Sequence, residues 1–294
     1  MTEIGINYEP AIGDLVMKAS AAGLVSVVEI VPDGYAHDLG GELQALLASF
    51  RRPYAFHFVD NSLGSADFAT NNNLGVNARM VKASRPMHVS DHLTFCRAGN
   101  LDLKQNLAVP RTPELARIFV NNIKLARRRV GTEFLIENIG GMWEFEESTI
   151  EPCAFYRNIV IDSGSKCLLD LHNLYVDELN FGSDPVRFIE ALPPELVVEV
   201  HVAGGTWNRA RTTYHDSHDD RIPPRVFELL DLVLARTRPA VVVLERVTEG
   251  RDLRRLSKEI WRDLEQLNEL NDAWNQRWQR RRRSHRSAAL SSAG

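Results

Sequence analysis

Eight short runs of β-branched and other apolar residues recur along the 294-residue chain, and they constrain its fold more than any other feature. They are "IGINY" (4–8), "SVVEIV" (26–31), "YAFHFV" (54–59), "MHVSDHL" (87–93), "EFLIENI" (133–139), "KCLLDLHN" (166–173), "VVEVHVAG" (197–204) and "AVVVLERV" (240–247). Each has the length of a strand, and the near-continuous apolar character of most of them belongs to strands buried on both faces. Between them lie segments with helical spacing. Residues 112–129 place Leu115, Ile118, Phe119, Ile123 and Leu125 near one face, behind a Thr112 cap and a proline at the first helical position. Eight strand-plus-helix units predict a closed parallel (β/α)8 barrel; an open doubly wound sheet is the alternative. No GxGxxG follows the first strand, which leaves a dinucleotide fold without support. Past the eighth strand, Leu253, Leu256, Ile260, Leu264, Leu267 and Leu270 keep helical spacing and predict a helix that closes the barrel. The barrel and its closing helix are expected over residues 1–276 as one catalytic domain. A disordered Arg-rich tail is expected over 277–294.

Charge and composition exclude several classes. The segment "RWQRRRRSHR" (277–286) holds six arginines, and without them the chain has 29 basic against 39 acidic residues, a balance of −10. A body of that sign lacks the basic face that broad nucleic-acid binding needs. No run of about 18 apolar residues marks a membrane span. The start, "MTEIGINYEP", has no basic stretch followed by an apolar one, so a cytoplasmic protein is expected. Cys96, Cys153 and Cys167 are far apart and form no CxxC, which argues against a disulfide framework or a zinc knot; Cys167, in "KCLLDLHN", reads as a small buried hydrophobe, and none of the three is assigned a catalytic role.

A barrel of this kind carries its chemistry at the carboxyl ends of its strands. Those positions hold His57 on the third strand, Asp91 and His92 on the fourth, and Glu137 and Asn138 on the fifth. Asp170 and Asn173 follow on the sixth, His201 on the seventh and Glu245 on the eighth. The polar stretch "YHDSHDD" (214–220), which alone reads as a solvated turn, adds Asp216 and His218 after the seventh strand. A single His57 or His201 would read as a satisfied core histidine, and Glu245 as a partner of Arg246. Seven or more ionisable groups ending apolar strands are different, because burying each without compensation costs several kcal/mol unless they share a metal or a tight ion network. Imidazole and carboxylate without thiolate suits zinc, manganese or non-heme iron, and the number of ligands suits two or three bridged ions.

In order along the strands, this His, His, Glu, Asp, His, Asp-x-His, Glu pattern resembles the xylose isomerase-like barrels, which include trinuclear zinc endonucleases. More closely, "VSDHL", "LIEN", "LLDLHNLYVD", "HVAGG", "DSHD" and "LER" resemble the multinuclear non-heme iron-dependent oxidases, whose members modify peptide natural products such as methanobactin. The resemblance runs from the first strand through the eighth. It implies one iron near His57, His92 and Glu137, with Glu137 bridging to a second held by Asp170, His201 and Glu245. Asn173, Asp216 and His218 would hold a third position. The zinc nucleases carry histidine three residues after the sixth-strand aspartate, whereas the oxidases read D-x-x-N, as "DLHN" does here. His172, between them, is expected to point away if the strand continues.

By the same resemblance, the reaction is an O2-dependent oxidation of a residue, most often cysteine, in a ribosomally made precursor peptide during natural product biosynthesis. Glu137, Asp170, His201, Asp216, His218 and Glu245 would serve catalysis, with two to three irons as cofactor and O2 as co-substrate. A separate protein that recognises the leader of the precursor is the implied partner. Glu29, Asp91 and Asn138 are expected to orient ligands. Trp207, Arg209 and Arg211, in the loop before Asp216, are read either as a cover or substrate contact, or as exposed loop residues. Two other functions are weighed: a zinc- or manganese-dependent hydrolase or isomerase acting on a phosphodiester or sugar, and a catalytically idle scaffold. The acidic body and Asn173 disfavour the nuclease, and the complete set of costly buried ligands disfavours the scaffold.

Overall fold

The computed structural model describes residues 1–36, 41–70, 72–99, 101–141 and 144–291, with side chains described for all of these except Asn72, Lys104 and residues 281–291. All eight expected strands form: β1 (Glu3–Asn7), β2 (Val27–Ile30), β3 (Tyr54–His57), β4 (Val89–His92), β5 (Phe134–Glu137), β6 (Lys166–Asp170), β7 (Val197–Val202) and β8 (Val241–Leu244). They pair in parallel in the order β1-β8-β7-β6-β5-β4-β3-β2, and β2 pairs with β1 to close the barrel. The strands β2, β5 and β8 are buried at every position, as strands packed on both faces must be.

Helices follow the strands in turn: α1 (Gly13–Ala21), α2 (Glu42–Ser49), α3 (Asn72–Ser84), α4 (Pro113–Val130), α5 (Pro152–Ser163), α6 (Leu171–Phe181), α7 (Pro185–Ala191), α8 (Pro224–Arg236) and α9 (Leu253–Ser291). Local chemistry sets their ends. Thr112 accepts from the Leu115 N–H to cap α4, Pro113 opens it, and Gly131 ends it at φ 71. The expected apolar face is real, with Phe119, Ile123, Ala126 and Val130 fully buried and Leu115, Ile118 and Leu125 half-buried at its margins.

Two antiparallel hairpins interrupt the βα units on the carboxyl side of the strands. Phe95–Ala98 pairs with Leu101–Leu107 between β4 and α4, and Thr206–Trp207 pairs with Tyr214–His215 between β7 and α8.

Inside the barrel, Val27, Val241 and Val243 form a small cluster of their own. By the two-residue period of a strand, Val241 and Val243 share a face of β8 with Glu245, and the register sets Glu199 and His201 of β7 opposite Val241 and Val243. The interior therefore turns from valine to ionisable side chains along the strand direction.

The helix α9 packs along the barrel through Leu256, Ile260, Leu264, Leu267 and Trp274, all buried. Leu253, expected in that stripe, is 43 % exposed because it is the first residue of the helix. The Trp278 indole donates to the Leu234 carbonyl, so packing continues past position 276. With no Gly or Pro between Leu253 and Ser291, the α9 backbone runs into the arginine-rich segment as far as Ser291; residues 292–294 lie outside the described residues.

Candidate metal centre

Strand register assembles the site. Direct pairing sets His92 beside Glu137 and Asp170 beside His201 at the carboxyl ends of adjacent strands. Among the described residues, five groups of His and carboxylate atoms result, each with its atoms within 4.8 Å of one another: His57, His92 and Glu137; Glu137, Asp170, His201 and Glu245; His172, Asp216 and His218; Glu29, His57 and Glu245; and Glu29, Glu199 and His201.

Shared carboxylates join the groups. Glu137 Oε2 lies 3.1 Å from His92 Nε2 and 3.4 Å from His57 Nε2, while its Oε1 lies 3.8 Å from His201 Nδ1. Glu245 Oε2 stands 3.0 Å from His201 Nδ1 and 3.6 Å from His218 Nδ1. Asp216 Oδ1 is 2.7 Å from His218 Nε2.

These close approaches are mostly not hydrogen bonds. Glu137 Oε2, Asp170 Oδ2, Asn173 Oδ1, His201 Nδ1, His218 Nε2 and Glu245 Oε2 are all buried without a hydrogen-bond partner. Buried polar atoms in folded proteins almost always have one. Lone pairs that converge while leaving each other unbonded are the arrangement a bound cation needs, so the residues fit a multinuclear metal centre.

The remaining atoms of the ligands are held in place. His57 Nδ1 meets Ser90 Oγ at 2.8 Å, and Ser90 in turn donates to the Phe56 carbonyl. Ser90 is then the acceptor for a His57 Nδ1–H, which leaves the Nε2 lone pair for an ion. His201 Nε2 meets Glu29 Oε1 at 2.7 Å, directing Nδ1 toward Glu245. Asn138 bridges β5 and β6, accepting from the Asp170 N–H and donating to the Asp170 carbonyl, both at 2.9 Å. Asp91 accepts from the His92 N–H and from Asn61, and its Oδ1 also lies 3.8 Å from the His92 ring nitrogen Nδ1.

Burial and crowding set the protonation tendencies of the ion-free chain. Burial pushes Glu137 well above the usual carboxylate range, and Glu245 and Asp170 add to the push. Burial also raises Asp170 to about 6, helped by Asp216 and Glu245, and raises Glu29 to about 7 against the pull of His201. The imidazole of His57 is driven down by burial and by its neighbours His92 and His201. For His218, burial opposes the charged form, but Asp216 and Glu245 carry it up to about 10. A set of ligands that must hold protons to tolerate one another is one that cations relieve.

His172 corrects the sequence reading. The strand does not continue past Asp170, because Asp170 is itself the N-cap of α6 and its Oδ1 accepts from the Asn173 N–H at 2.7 Å. Strand alternation therefore stops, and His172, fully buried, joins Asp216 and His218. The helical spacing of "LHNLYVDEL" after an aspartate was the available signal. Asn173 donates to the Asn138 carbonyl at 3.0 Å and sits against Gly140, where a Cβ would lie 2.8 Å from its Oδ1. Sequence reasoning also missed His88 and Glu199, which form a buried pair at 2.8 Å inside the barrel. Trp207 packs edge-on to Tyr214 and is 39 % exposed. Arg209 and Arg211 are exposed in the turn of the same hairpin. Glu245 does not pair with Arg246, whose partners are Glu259 and Asp263 on α9.

Residues 3–268 match the family described as RiPP precursor modification enzyme MbnB/TglH/ChrH, a RiPP being a ribosomally made and post-translationally modified peptide. The chain belongs to this family. Among curated relatives of this RiPP-modifying family member, a UPF0276 protein of Streptomyces avermitilis is 31 % identical over 252 residues; the match covers 82 % of this chain but only 50 % of the relative's length. A UPF0276 protein of Rhizorhabdus wittichii is 30 % identical over 240 residues, covering 81 % of this chain and 84 % of the relative. Among solved structures, the xylose isomerase domain protein of Planctomyces limnophilus superposes with a TM-score of 0.64 at 12 % identity, covering 94 % of this chain and 99 % of the other. That likeness establishes a xylose isomerase-like barrel for this family member and speaks to the fold alone. Among the described residues, no helix is long and apolar enough to cross a membrane.

Proposed function

We propose that this chain is a multinuclear non-heme iron oxidase that uses O2 to modify a cysteine of a ribosomally made precursor peptide. The observation that carries the reading is the linkage of three ligand groups through the shared carboxylates Glu137 and Glu245, within a chain of the RiPP precursor modification family. When bound, two or three irons supply a position for a substrate sulfur and the electrons that reduce O2.

The chain's own residues do the positioning. His57, His92 and Glu137 hold one ion; Glu137, Asp170, His201 and Glu245 hold the second; Asp216 and His218, with the Asn173 amide oxygen, hold the third. Sharing Glu137 and Glu245 fixes the spacing between positions, so reacting groups are brought together without a search. The apolar strands below keep water out. Exposure grades across the centre, from 0 % at His201 and 3 % at Glu137 to 15 % at His92, 19 % at His218 and 34 % at Asp216. The peptide enters on that open side, where the hairpin bearing Trp207, Arg209 and Arg211 serves as its cover. The reading includes a separate leader-recognition protein as partner, and the cytoplasm, which keeps a substrate thiol reduced, as the place of action.

The test uses a cysteine-containing precursor peptide found by searching the genes that neighbour this one. Protein loaded anaerobically with ferrous ion is mixed with peptide and then with O2, and both peptide mass and O2 uptake are followed. A mass change that needs O2 and is lost in Glu137→Gln supports the reading. An unmodified peptide, with iron and partner protein present, contradicts it.

A further inference from the structure

We propose that His172 is a positioning residue for the third metal position, its Nδ1–H holding the Asp216 carboxylate turned toward the ion, rather than a ligand itself. The inference deepens the reading above and rests on its metal centre. His172 is fully buried on the first turn of α6, and its Nδ1 lies 2.9 Å from Asp216 Oδ1 in hydrogen-bonding geometry. A carboxylate only accepts, so the ring nitrogen facing it carries the proton and has no lone pair to give an ion. The other nitrogen, Nε2, is buried with no hydrogen-bond partner, and it abuts the backbone at Gly205. A Cβ there would stand 3.0 Å from both Nε2 and Cε1. The nitrogen that faces Asp216, Nδ1, is therefore already committed to that carboxylate.

Asp216 needs such a tether. It stands in a loop, 34 % exposed, and is the most open of the ligands; unheld, its carboxylate would turn to water. His218, which shares Asp216 Oδ1 at 2.7 Å, is carried on a left-handed backbone at φ 51 in the same loop, where its carbonyl accepts from the Val247 N–H at 3.0 Å. The His172 ring holds the Asp216 carboxylate itself, from the first turn of α6, and is packed edge-on against Tyr214 and His218 at centroid distances of 5.8 and 5.5 Å. Tyr214 in turn bonds through its hydroxyl to both the N–H and the carbonyl of Gly205. A partner that orients a ligand in this way is worth about 10–100-fold in metal affinity.

The experiment compares His172→Phe, His172→Asn and His172→Gln with the wild type. An asparagine amide puts an N–H where Nδ1 stands; glutamine puts it where Nε2 stands; phenylalanine fills the space with no donor. Each protein is loaded with ferrous ion or cobalt(II) without oxygen, and ion stoichiometry and affinity are read by competition with a chelator and by the cobalt absorption spectrum. Melting of the metal-free proteins confirms folding. The expected result is that H172F and H172Q bind the third ion about 10–100-fold more weakly, keep the other two, and that H172N recovers most of the wild-type affinity. Wild-type affinity in H172F or H172Q overturns the proposal, and so does an H172N as weak as H172F, which would make the ring itself a ligand. The readout is occupancy, so it stands apart from the oxidase reading, which fails instead if iron-loaded wild type leaves peptide and O2 unchanged.

Discussion

At the scale of single residues, the centre depends most on side chains that face two groups at once. Glu137 is one, and Glu137→Gln is expected to bind fewer ions per chain and to lose activity by about 100-fold or more, since it removes a shared ligand rather than an orienting partner. Metal content of the anaerobically purified variant checks this; a full ion complement would contradict it. Glu29 acts one step back. Its Oε1 grips His201 Nε2 at 2.7 Å while its Oε2 lies 3.9 Å from His57 Nδ1, so Glu29→Gln should weaken the middle position about 10–100-fold while the barrel melts at nearly the same temperature. The buried His88–Glu199 pair gives a pH signature. Burial opposes the charged imidazole, but Glu199 at 2.8 Å outweighs it and the His88 pKa is raised. A histidine whose folded pKa exceeds its unfolded value of about 6.5 contributes stability fully below that value and loses it as pH rises through the folded pKa. The difference in melting temperature between wild type and His88→Gln, both metal-free, should therefore be largest below about pH 6.5 and shrink toward alkaline pH. A difference that stays flat or grows with pH would rule this out.

At the scale of elements, two close contacts and one buried ion pair hold the third ligand group over the barrel. In "HVAGG", a Cβ at Gly204 would fall 2.0 Å from the Arg221 carbonyl, and one at Gly205 would fall 2.1 Å from that of His215. The hairpin thus lies directly on the backbone after β7, and Gly205→Ala should push it off, costing third-ion binding before it costs the fold. Arg246 buries a guanidinium between Glu259 and Asp263, and also donates to the Asp220 carbonyl. Asp263 further pairs with Arg221 at 2.8 Å, so α9 pins the loop that carries Asp216 and His218. Removing a partner from a buried pair costs about 3–5 kcal/mol, and Asp263→Ala is expected to show a loss of that size in urea unfolding. The eight strands and the ionisable residues that end them were legible because both-face burial writes a continuous apolar run and the polar residues that end it stand out. His172 was not legible by the same rule, since the period changes from two to 3.6 at Asp170, where one side chain is both strand end and helix cap. His88 and Glu199 were hidden for another reason: they lie inside the strands' own runs, and only closure of the barrel brings β4 and β7 face to face across its interior.

At the scale of the whole molecule, a barrel whose carboxyl end is filled with imidazoles and carboxylates stores unfavourable burial that bound cations offset. Ions that bind the folded chain and not the unfolded one stabilise it by mass action, so stripping them with a chelator should lower the melting temperature, and acidification should release them as the ligands take up protons. The chain belongs to the RiPP precursor modification family, and the proposed function sets this centre to work on a peptide. The identity of the ions decides the chemistry, because the same imidazoles and carboxylates suit iron, zinc or manganese. Protein produced in iron-supplemented medium and purified without oxygen, then measured for metal content and by Mössbauer spectroscopy on a labelled sample, addresses this most directly. The account predicts two to three irons per chain, some ferrous and magnetically coupled. Zinc alone at the same stoichiometry, despite abundant iron, would contradict it and leave metal-dependent hydrolysis as the better reading of the site.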